Sequence, residues 1–426
     1  MEPLKVLIVG SGVAGPAFAS WLAKTGAEIT LIERANQVRV GGQQLDLRAQ
    51  GIPVMKKMGI EAAIRAKVIR EPGTQLIDAQ GRTKALFAAT KTGAEKQSFT
   101  TEFEIMRGDL VRILMGLTEK RKNVTHRFGT TVTSLTQDDE NDPKGKVHVG
   151  FADGRKDDYD LVVAADGTGS RTRQLMLGPD APDPRHNLGG YIGFFSTLAQ
   201  PHDSKYFTFC HLPGGRYLGT RKDQVDFTRV YMQSPRKTEA LEAAHKSGNL
   251  AELKAAWANT FADGAWESKR FMTALKTSTE ADDLYSTPRQ EVRLPVGSWS
   301  KGRVVAIGDA AHAQTANGFG TSWGLVGSYI LAGEIATLQK EDPSTAVVKG
   351  VKRYEKMFRP QATARHGGKS DSFEKFFLPE TALGIRILHS VARVASYFKL
   401  DGGLGAGAEE SKWTLPEYPA LFENRK

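Results

Sequence analysis

Residues 5–33 constrain the fold more than any other stretch. A continuous apolar run, Lys5-Val6-Leu7-Ile8-Val9, passes at once into Gly10-Ser11-Gly12-Val13-Ala14-Gly15, then into helical spacing through Phe18, Leu22 and Ala23 that stops at Gly26. A second run over 28–32 ends on Glu33. Apolar residues without alternation predict a parallel strand buried on both faces, and parallel neighbours need a crossover helix. Glycines at the first, third and sixth places of the turn permit a tight bend, close approach to a ligand and close packing of helix on strand. The helix N-terminus offers unsatisfied N–H groups to an anion, and the acid ending the next strand takes ribose hydroxyls. The stretch predicts a dinucleotide-binding βαβ unit, with Gly10, Gly12, Val13, Ala14, Gly15 and Glu33 on the ligand and Arg34 beside it.

Two later stretches repeat the pattern. An apolar strand over 160–165 ends in Asp166-Gly167, followed by Ser170, a helix N-cap candidate, and Arg173. Residues 304–307 stop at Gly308-Asp309, after which Ala310, Ala311, Gly318 and Gly320 keep bulk low until Thr321 and the apolar run 323–338 begin a helix. Three strands ending in small residues and acids predict convergence at the ligand edge of an α/β sheet, with Asp309 accepting from sugar hydroxyls. Between them, Gly41-Gly42-Gln43-Gln44-Leu45-Asp46-Leu47 reads as a loop returning as a strand beside the ligand, and Arg107 opens a helix from which a guanidinium can reach a phosphate.

At 426 residues, 40% apolar and 25% charged, the chain has room for two or three cores and is expected to fold. A lone cysteine, Cys210 in an apolar setting, reads as buried filler rather than a catalytic thiol, and the absence of a disulfide framework and of a leader before the first strand predicts a cytoplasmic protein. The net charge of +10 is scattered, which suits anionic small molecules and not a nucleic-acid surface. The run 323–338 carries Glu334 and is shorter than the ~20 residues of a span, so no stable membrane insertion is expected. Nine scattered histidines predict no metal site, and His312 reads as positional rather than as a base. The lack of a Gly-x-Ser-x-Gly elbow disfavours a hydrolase.

The expected fold class is α/β: a Rossmann-like nucleotide-binding domain of the glutathione-reductase type (1–74, 102–180 and 285–345), interleaved with an antiparallel substrate sheet (75–101 and 181–284), and a C-terminal helical region (346–426). In that last region Ile385, Ile387, Leu388, Val391, Val394 and Phe398 oppose Arg386, Arg393 and Lys399, an amphipathic helix expected to pack on its own protein.

The three motifs, in this order and spacing, resemble the class A flavoprotein monooxygenases, the para-hydroxybenzoate hydroxylase-like family, over most of the chain to about residue 365. The loop 41–47 and the stretch 104–110 are most similar to the tetracycline-inactivating branch and to fungal secondary-metabolite hydroxylases. The resemblance implies FAD on Gly10–Gly15, Glu33, Asp166 and Gly308–Gly320, with Gly42, Asp46 and Arg107 against it and Asp309 at its ribityl and diphosphate region. It implies NADPH or NADH as transient co-substrate, with Arg39, Arg107 and Arg173 as docking charges, and transfer of one oxygen atom of O2 from a flavin C4a-hydroperoxide to an aromatic or polycyclic small molecule. Arg216, and Tyr191 of the aromatic-rich sheet (with Phe194, Phe195, Phe207 and Phe209), would face that substrate. Baeyer–Villiger oxidation, epoxidation, dehydrogenation and a flavoprotein without turnover remain alternatives, as do monomer and homodimer. The chain departs from the family at Ala316, where a proline is usual, in a turn one residue shorter.

Overall fold

The computed structural model describes residues 2–38, 42–89, 102–222, 226–314, 318–364, 376–398 and 413–423. A six-stranded sheet runs in the order Ser300–Lys301, Val304–Ala306, Leu161–Ala164, Lys5–Val9, Glu28–Glu33, Val124–Phe128. Only its first edge pair is antiparallel. The three apolar runs are therefore neighbouring strands. Val6, Ile8, Leu161, Val163 and Val305 enter a core under the helices Ala14–Leu22, Gly320–Glu341 and Ala346–Thr363. Leu7, Val9, Val162 and Val304 enter a second core, against the three-stranded sheet Val132–Gln137, Val147–Phe151 and Lys156–Tyr159. With a layer on each face, every position must be apolar, which is why these runs do not alternate.

Trp21, Tyr329 and Tyr354 are fully buried between these helices, each contributing about 2–3 kcal/mol on removal from water. The charge inside the apolar run also finds a partner: Tyr418 Oη donates to Glu334 Oε1 at 2.7 Å. Among the described residues no helix is long and apolar enough to cross a membrane.

The second large sheet has seven strands: Tyr285–Val292, Arg185–Leu198, Phe227–Gln233, Arg216–Lys222, Phe207–Leu212, Gly73–Ile77 and Thr83–Ala88. All pairs are antiparallel except 207–212 with 73–77. One face packs Phe195, Leu212, Leu218, Val230 and Met232 against Leu241, Trp257 and Phe271 of the helices Glu239–Ser247, Leu250–Thr260 and Ser268–Thr277, and against Phe261 at the end of the second. The expected boundary at residue 285 needs correction, because the strand 285–292 pairs along Arg185–Phe194 and belongs to this sheet. Cys210 is buried in it, its thiol pushed up to about 12 by burial and then by Asp78. The helix Ala382–Tyr397 packs on 83–88 and 207–212. Its seam is Leu388, as expected, with Ala392 and Ala395, whereas Ile387, Val391, Val394 and Phe398 stay exposed. Small side chains let helix and sheet approach. Lys399 lies outside the described residues.

A Cβ on Gly15 would sit 2.0 Å from Gly10 O, whereas one on Gly116, the last residue of the helix Arg107–Gly116, meets nothing. Gly15→Ala should cost about 3 kcal/mol or more and Gly116→Ala should cost nothing, read as denaturation midpoints. His148 bridges Asp158 at 2.8 Å and Asp138 at 3.0 Å, and these hydrogen bonds, that to Asp138 foremost, raise its pKa. Their contribution is complete below the ordinary value of about 6.5 and is lost as pH rises through the folded one. The ring should titrate above that value by NMR, and His148→Gln should remove the step.

Candidate cofactor site

The first glycine turn is built as its spacing requires. Gly10 has φ 112° and donates to Ile32 O at 2.8 Å, and a Cβ there would lie 2.5 Å from Ala165 O. Glu33 Oε2 accepts from both the N–H and Oγ of Ser11 at 3.1 Å, and Oε1 accepts from Ala35 N at 3.1 Å. The acid thus fixes the turn against the end of the next strand, with Arg34 exposed beyond it. The helix that follows, with Val13 at its N-cap, has no side-chain cap. Neither has the helix Gly320–Glu341, whose first turn holds Thr321 and no acid. The second helix crosses the first start one to two turns into its length: a Cβ on Gly324 would lie 3.8 Å from that of Ala14, and Ser328 Oγ donates to Ala14 O at 2.9 Å, while a Cβ on Gly308, after the third strand, would lie 2.9 Å from the Ala14 Cβ. The uncapped N-terminus of the first helix, at the glycine turn between the strand ends, makes an anion cradle.

Asp166 and Arg173 prove to brace the cradle. Asp166 accepts from the Thr172 N–H at 3.1 Å, from its hydroxyl at 3.0 Å, and from the Ser170 hydroxyl. Ser170 is the N-cap of the helix Arg171–Leu177, as expected, accepting from Arg173 N at 2.9 Å. The Arg173 guanidinium, only 3% exposed, donates to Ala310 O at 2.8 Å and to Thr168 O at 2.9 Å. Arg173 as a docking charge for a second dinucleotide is therefore corrected: buried and bound to two carbonyls, it ties the second fingerprint turn to the third.

The opposite wall is a hairpin of Gln44–Asp46 with Glu104–Met106, in which Asp46 faces Glu104. Arg107 N donates to Gln43 O at 3.1 Å. Its stem passes 3.1 Å from the Cβ position of Gly42, and a terminal nitrogen lies 3.9 Å from that of Gly12. Arg107 thus spans from the hairpin to the first glycine turn. Asp46 pairs with Arg48 at 2.9 Å across Gly318, where a Cβ would lie 3.3 Å from Arg48 Nε. Asp309 stays open to solvent although protein surrounds it, the situation of a side chain on a cleft wall. That enclosure raises its pKa, and Arg107 opposes the rise. Gly320 adjoins it, its Cβ position 3.8 Å from Asp309 Oδ1. Sequence reasoning missed Ser11 and Arg48, the latter two residues past Asp46 and just beyond the end of the strand. Arg39 and the turn around Ala316 lie outside the described residues. His312 is 2% exposed and packed between Trp299 and Phe358, a positional residue.

The two expected substrate contacts are also corrected. Arg216 grips Asp263 at 2.6 and 2.9 Å over the Phe261 ring, and Tyr191 stacks on His245 at 4.6 Å. Both belong, with Phe195, to the sheet face under the helical layer. Alternation along the strands puts Phe194, Phe207, Phe209, Tyr217 and Tyr231 on the other face. From that face Arg221 reaches Glu104 of the hairpin, so this is the face turned to the cleft.

The cleft fits a flavin dinucleotide: an anion cradle for a diphosphate, Glu33 and Asp309 for hydroxyls, and a guanidinium between them. The profile of the family described as FAD binding domain matches residues 3–365. The chain is 39% identical over 429 residues to the flavin-dependent monooxygenase eupH of Phoma sp, covering 99% of each. It is 35% identical over 442 residues to the FAD-dependent monooxygenase asL4 of Sarocladium schorii, covering 99% of this chain and 100% of that one. The crystal structure of tetracycline destructase Tet(51) superposes with a TM-score of 0.75 at 25% identity, covering 98% of this chain and 100% of that one. A match along the whole length, on a fold whose three fingerprint turns meet at one cleft, makes this chain a member of the FAD-dependent monooxygenases.

Proposed function

We propose that the enzyme consumes NAD(P)H and dioxygen to place one oxygen atom on an aromatic or polycyclic small molecule. The aromatic sheet face turned to the cleft carries this reading. Phe194 and Tyr231 lie 4.8 Å apart by ring centroids and Phe207 and Tyr231 5.5 Å, while Phe209 and Tyr217, 5.3 Å apart, continue this face beneath Phe377 and the helix 382–397. Such a wall suits a flat ring system. The similarity to a tetracycline destructase supports a polycyclic substrate.

Bound FAD supplies hydride acceptance and dioxygen activation, which no side chain offers. Asp46, Arg107 and Asp309 hold it, with Glu33 at its adenosine end. The sheet shuts out water and orients the substrate. Tyr217 replaces Arg216 as the polar contact: burial pushes its phenol up to about 12 against the pull of Arg289, so it remains a neutral O–H donor at working pH.

Incubation with NADPH, oxygen and a panel of phenolic and polycyclic compounds, tetracyclines included, should yield a product heavier by one oxygen atom, labelled when the dioxygen is. Oxidised NADPH and peroxide with every compound returned unchanged overturns the substrate reading. Asp309→Ala should weaken FAD at least tenfold, since a charged hydrogen-bonding partner is lost. Tyr217→Phe should keep its flavin while KM rises more than kcat falls.

A further inference from the structure

The substrate sheet and the cofactor hairpin meet at three buried charges. Arg221 donates from Nε to Glu71 Oε1 at 2.8 Å and from Nη2 to Glu71 Oε2 at 2.5 Å, and Nη2 also reaches Glu104 Oε1. The side chains are 6%, 1% and 3% exposed, so none is hydrated from outside. Glu71 stands just before the strand 73–77, while Glu104 opens the hairpin strand that leads into Arg107 and faces Asp46. The guanidinium is held on a third side by the Phe207 ring, 4.1 Å from its centroid. One side chain of the sheet thus grips the element that carries two of the residues assigned to FAD.

The charges do not balance. The two parallel bonds to Glu71 make a complete ion pair. Glu104 is a second carboxylate on the same cation, and the neighbouring groups do not neutralise it: Asp46 is engaged with Arg48, and the Tyr231 phenol is kept neutral by burial. An excess negative charge in a dry interface is resolved by taking up a proton. Burial, reinforced by Asp46 and Glu71 and opposed by Arg221, raises the Glu104 pKa well above the usual range. Burial works against the Arg221 charge, but Glu104 and Glu71 outweigh it.

We propose that Arg221, clasping Glu71 and Glu104, is a positioning residue that sets the cofactor hairpin and acts on FAD through Asp46 and Arg107. The inference rests on the FAD reading of the cleft. Glu104 is its neutral member, one oxygen accepting from Arg221 and the other carrying the proton. Because its folded pKa lies above the unfolded one, the stabilisation from this proton is present at low pH and lost as pH rises through the folded value. Loss of the proton puts a second negative charge beside Asp46 and loosens the hairpin.

The test is flavin release from the full-length holoprotein, followed as recovered flavin fluorescence on dilution between pH 6 and 9, with melting curves as a check on folding. Arg221→Met and Arg221→Lys should release FAD about tenfold more readily, since each leaves buried carboxylates without their fork. Glu104→Gln, which has the shape of the protonated acid, should hold FAD within about threefold of the parent and lose the increase in release at high pH. A purely structural clasp would shift all three melting curves and leave release alone. A folded Arg221 variant that keeps FAD as the parent does overturns the proposal, and so does Glu104→Gln releasing FAD as readily as Arg221→Met. If Arg221→Met does not fold, Arg221→Lys and the Glu104→Gln pH profile decide. A parent that never holds FAD overturns the cofactor reading itself and the inference with it, a failure distinct from the other two.

Discussion

The uncapped first helix starts at the glycine turn and is crossed there by the helix 320–341, and the site depends on how close these helices and the strand ends come. The approach is set by residues without bulk: Gly15 lies over Gly10 O, and Gly308 lies against the Ala14 Cβ. A side chain at either place would drive helix from strand, and the glycine turn would no longer close against the strand ends. Both starts lack a side-chain cap, which leaves their N–H groups and partial positive charge to a ligand. Stability and function are opposed there. A cap on either helix would stabilise the fold and occupy the anion site.

The buried Arg173 shows how the third strand is held in the arrangement. Its guanidinium joins Thr168 O and Ala310 O, so the turns after the second and third fingerprint strands move as one. Asp166 holds the first turn of the short helix from which Arg173 projects, accepting from Thr172 N and from the hydroxyl of its N-cap, Ser170. Charged residues beside a ligand site attract a binding role on sequence alone, yet these two spend their hydrogen bonds on the protein. The cradle they brace offers the ligand main-chain dipoles, which are rigid and need no reorganisation when an anion arrives.

The turns were legible because each is a local event. Two to six residues fix a glycine turn, a strand end or an N-cap, and no distant partner can reassign them. Gly10 to Gly15, Glu33, Ser170 and Gly308 accordingly lie where their spacing places them. Antiparallel strands obey another rule. A strand of period two has two faces, and spacing does not say which one meets the ligand; a shift of one residue exchanges them. Arg216 and Tyr217 differ by that one step, and the helices of 239–277 decided between them by covering the Arg216 side. The boundary at 285 failed for a related reason: the strand 285–292 is identified by its pairing with residues a hundred positions earlier.

The same parity explains why Arg221 lay hidden in the sequence and why it matters. It shares a face with Tyr217, so it points at the cleft, but at the end of the strand where the sheet meets the hairpin rather than the substrate. An isolated guanidinium there would be ruinous, and a single carboxylate would have sufficed to pair it. Two carboxylates from separate elements cost the fold a proton, yet they let one side chain register the sheet and the hairpin against each other. Hydrophobic contact tolerates sliding, whereas a forked hydrogen bond fixes distance and angle. Where a substrate must be held at a set height over a cofactor, that difference favours a buried charge cluster over a stickier apolar seam.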